Sequence, residues 1–98
     1  MANTLNAGNN TFRLTTAYNS SSPTDGGSHE NPIYVKSMVL QGATAGNVFV
    51  LQNFSDTGVL FEGKATNANS DQWIIEEWWP KGFKLASIAG GTLFINCD

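Results

Sequence analysis

The apolar residues of this chain alternate or run in short bursts, and clusters of Gly, Asn, Asp and Ser cut the bursts apart. Side chains two apart share a face only on extended backbone, so this period selects β-strands and excludes amphipathic helices. It predicts strands near Phe12–Tyr18, Ile33–Gln41, Asn47–Asn53, Val59–Lys64, Gln72–Trp79, Phe83–Ser87 and Thr92–Cys97. Between them stand residues that turn a chain cheaply. Gly42-Ala43-Thr44-Ala45-Gly46 has a glycine at each end, and Asp56-Thr57-Gly58 offers a side-chain acceptor before a permissive residue. Pro80-Lys81-Gly82 and Gly90-Gly91 serve the later connections. From Ile33 onward the pattern predicts a meander, each strand hairpinned to the next.

The first third differs. Met1–Thr11 is rich in Asn and Gly and predicts a flexible arm, leaving 12–98 as one domain. Asn19–Asn31 is a long loop of Ser, Pro, Gly and Asp, of a length that is either functional or disordered. The expected fold is therefore all-β, an antiparallel β-sandwich or jelly-roll-like domain of about 6–8 short strands behind an N-terminal arm.

Several strands are apolar on both faces. Val48 and Val50 oppose Phe49 and Leu51, while Trp73, Ile75 and Trp79 oppose Ile74 and Trp78. A two-layer sandwich buries one face of each sheet, so the second apolar face needs a neighbour. The size of the chain points the same way. A domain of 98 residues buries a modest share of its surface and gains from disulfides, metals or partners. Cys97 is the only cysteine and His29 the only histidine, so neither an intrachain disulfide nor a structural zinc site has its parts. Partners remain, and self-association supplies them most simply.

Charged residues make up 13% of the chain, about half the usual share, and the net charge is −3. Arg13, Lys36, Lys64, Lys81 and Lys84 are scattered singly, which disfavours nucleic acid and anionic membrane surfaces as partners. Nothing resembles a signal peptide or an apolar membrane span, which predicts a soluble protein made in a cytoplasm. The sequons at Asn9, Asn19 and Asn53 carry no meaning in that compartment.

No catalytic, cofactor or metal constellation is expected. Asp56-Thr57-Gly58 matches the triplet of aspartic proteases, whose chemistry needs two such aspartates sharing a proton in a dimer. That family sets apolar residues before the aspartate, whereas Asn53-Phe54-Ser55 precedes it here, and a hairpin turn explains the triplet. Glu62, Glu76 and Glu77 do not form a glycosidase pair by spacing, because adjacent strand residues face opposite ways. His29-Glu30 near Asp25 lacks the remaining members of a triad or zinc site, and Cys97 lacks a basic neighbour to activate it. Trp73, Trp78 and Trp79 are open to three roles: core plugs, interface anchors, or a stacking platform for sugar rings.

The succession Pro32–Leu40, Gly46–Leu51, Gly58–Glu62, Trp79-Pro80-Lys81-Gly82, Phe83-Lys84-Leu85 and Gly91–Ile95 resembles small virion structural proteins of tailed bacteriophages, including capsid decoration (cement) proteins. The resemblance is one of strand and turn spacing. It implies a β-sandwich or jelly-roll knob on the outside of a phage head, bound to the major capsid protein and present as a dimer or trimer. It implies no enzyme activity and no cofactor. On that basis Tyr34, Trp78, Trp79 and Phe83 are the expected partner-binding anchors, with the arm and the Asn19–Asn31 loop as extensions. A neck, tail or fibre subunit, or a carbohydrate-binding module, are the alternatives.

Overall fold

The structure, a computed structural model, describes residues 11–17, 27–66 and 69–98. Among these residues there are eight strands: β1 (Thr11–Leu14), β2 (Ser28–His29), β3 (Ile33–Gln41), β4 (Val48–Gln52), β5 (Val59–Lys64), β6 (Ser70–Trp79), β7 (Phe83–Ile88) and β8 (Thr92–Cys97). They form two four-stranded antiparallel sheets, ordered β1-β8-β3-β6 and β2-β7-β4-β5. The protein is a β-sandwich, and this strand order is that of a jelly roll.

The topology has a simple origin. The chain folds back on itself about the turn at Asp56, and the strands before it pair with those after it. Ile33 pairs with Trp79, Val48 with Lys64, Phe49 with Gly63 and Ser28 with Lys84, each pair standing equally far before and after Asp56. Rolling this doubled ribbon then divides it between two sheets. The expected meander is thereby corrected: β4 and β5 alone are consecutive and paired, while β3–β4, β6–β7 and β7–β8 pass from one sheet to the other. Gly42–Gly46, Pro80–Gly82 and Gly90-Gly91 are crossings between layers, and only the Asp56 turn closes a hairpin.

Three strands have the expected limits, namely β3, β5 and β8. The first is shorter than expected, ending at Leu14, and Tyr18 lies outside the described residues. Of the expected arm only Thr11 is described, and it belongs to β1. Of the expected Asn19–Asn31 loop, 19–26 lie outside the described residues, and Ser28–His29 is a strand.

Alternation places Phe12, Leu14, Val35, Met38, Leu40, Phe49, Leu51, Leu85, Leu93 and Ile95 between the sheets, all buried. Two aromatic groups fill the layer. At one end Phe83 meets Phe12 edge-on at 5.2 Å and Trp79 at 6.1 Å. Elsewhere Phe49 contacts Trp73 at 5.4 Å and Phe61 at 5.9 Å. Such tilted pairs put the positive ring edge against a negative ring face. No buried side-chain polar atom among the described residues is left without a hydrogen bond.

Register breaks where β3 and β6 run together. Between Val35 and Ser37 the pairing slips, and β6 carries an extra residue at Glu76, whose φ of 50° lies in the left-handed region. This bulge sits on an edge strand with two exposed glutamates, an arrangement that blunts further strand pairing. At the β6–β7 crossing Gly82 has φ 68°, and its Cα lies so close to the His29 carbonyl that no Cβ would fit.

Candidate functional site

The outer faces of the two sheets differ. On the β2-β7-β4-β5 sheet, Val48 and Val50 are flanked by Lys64, Glu62 and Ser87, and Gln52 by Lys84. On the β1-β8-β3-β6 sheet, Trp78 pairs with Tyr34, Ile74 with Ser37, and Val39 with Phe94. Trp78 is 57% exposed and Ile74 66%, on the same face of the same edge strand. Large apolar side chains grouped on one face are a feature shared by interaction surfaces.

Three polar side chains of this face are engaged with one another. Thr11 Oγ1 donates to Asn96 Oδ1 at 3.1 Å, and Asn96 Nδ2 donates to Ser37 Oγ at 3.1 Å. A polar group that keeps a hydrogen bond loses less on leaving water, so this row lowers the cost of covering the sheet. Two shallow depressions lie in the face. One of about 330 Å³ is lined by Tyr34, Lys36, Ser37, Ile74 and Glu76. The other, of about 220 Å³, lies between Val39, Gln41, Phe94 and Asn96.

Of the four expected anchors, the structure brings Tyr34 and Trp78 together on this surface and removes the other two. Trp79 is 2% exposed and Phe83 is fully buried, so both are core residues. The correction follows from parity: Trp79 stands opposite buried Ile33, whereas Trp78 stands opposite Tyr34 on the outer side. Trp79 is also fixed by its indole N–H, which donates to Glu77 Oε1 at 3.2 Å. Trp73 is half-buried against Phe49 and Phe61. The three indoles therefore share no exposed plane, and of the three only Trp78 is exposed. Ile74 and the depression beside it were not singled out from sequence. The only advance signal was the second apolar face of this strand.

The remaining candidates occupy ordinary structural positions. Asp56 Oδ1 accepts from the Gly58 amide at 2.8 Å and from Asn53 Nδ2 at 2.9 Å, and Lys81 Nζ lies 3.2 Å from Oδ2. These donors, led by the Gly58 amide, pull the exposed Asp56 carboxyl down to about 2. It behaves as the acceptor of its own turn. Glu62 is on the outer face of one sheet and Glu76 on the outer face of the other, so the sandwich separates them. The His29 ring sits 5.1 Å from Phe12 and 6.0 Å from Phe83, and burial lowers its pKa despite neighbouring Glu30. Burial pushes the half-buried Cys97 thiol up to about 11. No cluster of His, Cys, Asp and Glu able to hold a metal exists among the described residues.

No family model matches the chain, and neither the curated proteins nor the solved structures include a match to it. The outer face itself is the ground for a functional reading.

Proposed function

We propose that this chain is a non-enzymatic structural subunit of a virus particle, of the capsid-decoration kind, which stabilises a phage head built from the major capsid protein. The observation that carries this reading is the outward pairing of Trp78 with Tyr34, next to Ile74, on a sheet whose interior side is already full. A lone sandwich has no use for such residues there, whereas an assembling subunit gains binding energy from covering them. The jelly-roll topology, which viral shell proteins share with lectins, agrees with that role. Bridging contacts made only in the assembled particle would hold a shell closed by mass action.

The test is co-sedimentation of the purified protein with heads that lack it. Wild-type protein is expected to pellet at a fixed ratio to coat protein. Trp78→Ala is expected to weaken retention at least about 30-fold, the effect of removing a ~2 kcal/mol aromatic anchor. Failure of wild-type protein to bind heads, or its absence from purified particles, would overturn the proposal. Copy number distinguishes the neighbouring alternative: a neck, tail or fibre subunit would be present in far fewer copies than a shell decoration.

A further inference from the structure

The outer face of the β1-β8-β3-β6 sheet holds a protrusion and a depression side by side. The protrusion is Trp78, and among the described residues its indole N–H has no hydrogen-bond acceptor, in contrast to that of Trp79. The depression, about 330 Å³, begins at Tyr34, the cross-strand partner of Trp78, and continues along β3 and β6 through Lys36, Ser37, Ile74 and Glu76. Its size admits one indole. Its chemistry suits one as well: Ile74 and Tyr34 offer apolar contact, Lys36 an ammonium for the ring face, and Glu76 a carboxylate for the indole N–H.

Trp78 is not among the residues that line the depression, so an indole filling it comes from another molecule. Resting on the assembly reading above, we propose that this face seats the same face of a second copy about a two-fold axis, each Trp78 entering the partner's depression. A knob and a hole that are adjacent on one face are exchanged by a two-fold axis running between them, which is the requirement of a closed, isologous interface. The charges allow it. Lys36 and Glu76 line the hole with opposite signs, so each copy offers an ammonium and a carboxylate there and neither sign accumulates in the hole. The row Thr11–Asn96–Ser37 stays hydrogen-bonded within its own sheet when covered. The dimer, rather than the single chain, is then the unit that docks on the shell, so the loss of head retention in Trp78→Ala passes through loss of the dimer.

The experiment is sedimentation equilibrium of the full chain from about 1 µM to about 500 µM. Wild-type mass is expected to rise from the 10.5 kDa monomer towards twice that value. Trp78→Ala removes the knob and Ile74→Arg obstructs the hole; both positions are exposed, so both variants are expected to fold. Each is expected to remain monomeric across the range, with at least about a 30-fold loss of affinity. Mixing the two is expected to restore part of the association, since one intact knob then meets one intact hole. A wild-type monomer at every concentration would overturn the proposal. So would a dimer indifferent to both variants, a mixture that fails to recover any association, or quenching of Trp78 fluorescence by a simple saccharide in a monomeric protein. A monomer that still co-sediments with heads would refute the dimer alone, and a dimer that does not would refute the shell reading alone.

Discussion

Replacing Gly63 with alanine tests how tightly the interior is packed. Gly63 lies opposite Phe49 in the β4–β5 ladder and is buried, with no positive φ to explain the glycine. A Cβ there would fall 2.5 Å from Phe49 Cζ and 3.1 Å from Phe61 Cε2. The Phe49 ring cannot swing aside, because it is fully buried between Phe61 and Trp73. Forcing a methyl into such a space costs about 1–3 kcal/mol. Restricting the unfolded chain returns up to about 1 kcal/mol; against a ring held this tightly the packing cost lies in the upper half of its range, about 2–3 kcal/mol, so the net loss is about 1–2 kcal/mol. For a domain of this size that lowers Tm by about 4–16 °C. Thermal melts followed by circular dichroism, and urea titrations followed by the fluorescence of nearby Trp73, measure it. Phe49→Leu supplies the control: the smaller side chain vacates the contact, so Gly63→Ala should cost little in that background. The coupling in the double-mutant cycle should then be about 1 kcal/mol or more. A neutral Gly63→Ala, or one equally costly in both backgrounds, would refute the reasoning.

Gly82→Ala should be more damaging, because it combines a positive φ with overlap against the His29 carbonyl; a loss above about 2 kcal/mol in urea titrations is expected. His29 is held neutral by burial, so its folded pKa lies below the unfolded value of 6.5. Its contribution is complete above that value and is lost as pH falls through it towards the folded pKa, since the unfolded chain binds the proton first. Tm should therefore drop as pH falls below about 6.5, and His29→Phe should flatten part of that drop. With its pKa near 11, Cys97 should react with a maleimide at pH 8 far more slowly than in urea-unfolded protein. Equal rates would place the thiol in solvent.

The strands were legible because their period is local. Ile33–Gln41, Val59–Lys64 and Thr92–Cys97 begin and end where alternation meets turn residues, and no distant contact is needed to see it. Pairing was not legible in the same way. A glycine-bearing turn such as Gly90-Gly91 says that the chain changes direction, and a crossing between layers satisfies it as well as a hairpin does. Strand β2 left no signal, since Ser28–His29 owes its place to β7 and to the rings of Phe12 and Phe83. At the site, the surplus of oily residues on 72–79 was visible, but their partition was not. Which of Trp78 and Trp79 faces out depends on register with Tyr34 and Ile33, and that is settled across the sheet.

Because the ribbon doubles about Asp56, the order in which its contacts can close is built into the sequence. The β4–β5 turn joins near neighbours, whereas Thr11 and Asn96, bonded in the last ladder, are 85 residues apart. The entropy of closing a loop grows with its length, so pairing is cheapest at the bend and each outer rung is shortened by the one within it. Assembly of the monomer should run outward like a zip, and β1, the final tooth, should be the first to come undone. Amide exchange should accordingly be slow at Leu51 and fastest along Thr11–Leu14, so the edge beside β8 is the place where this fold can open without coming apart.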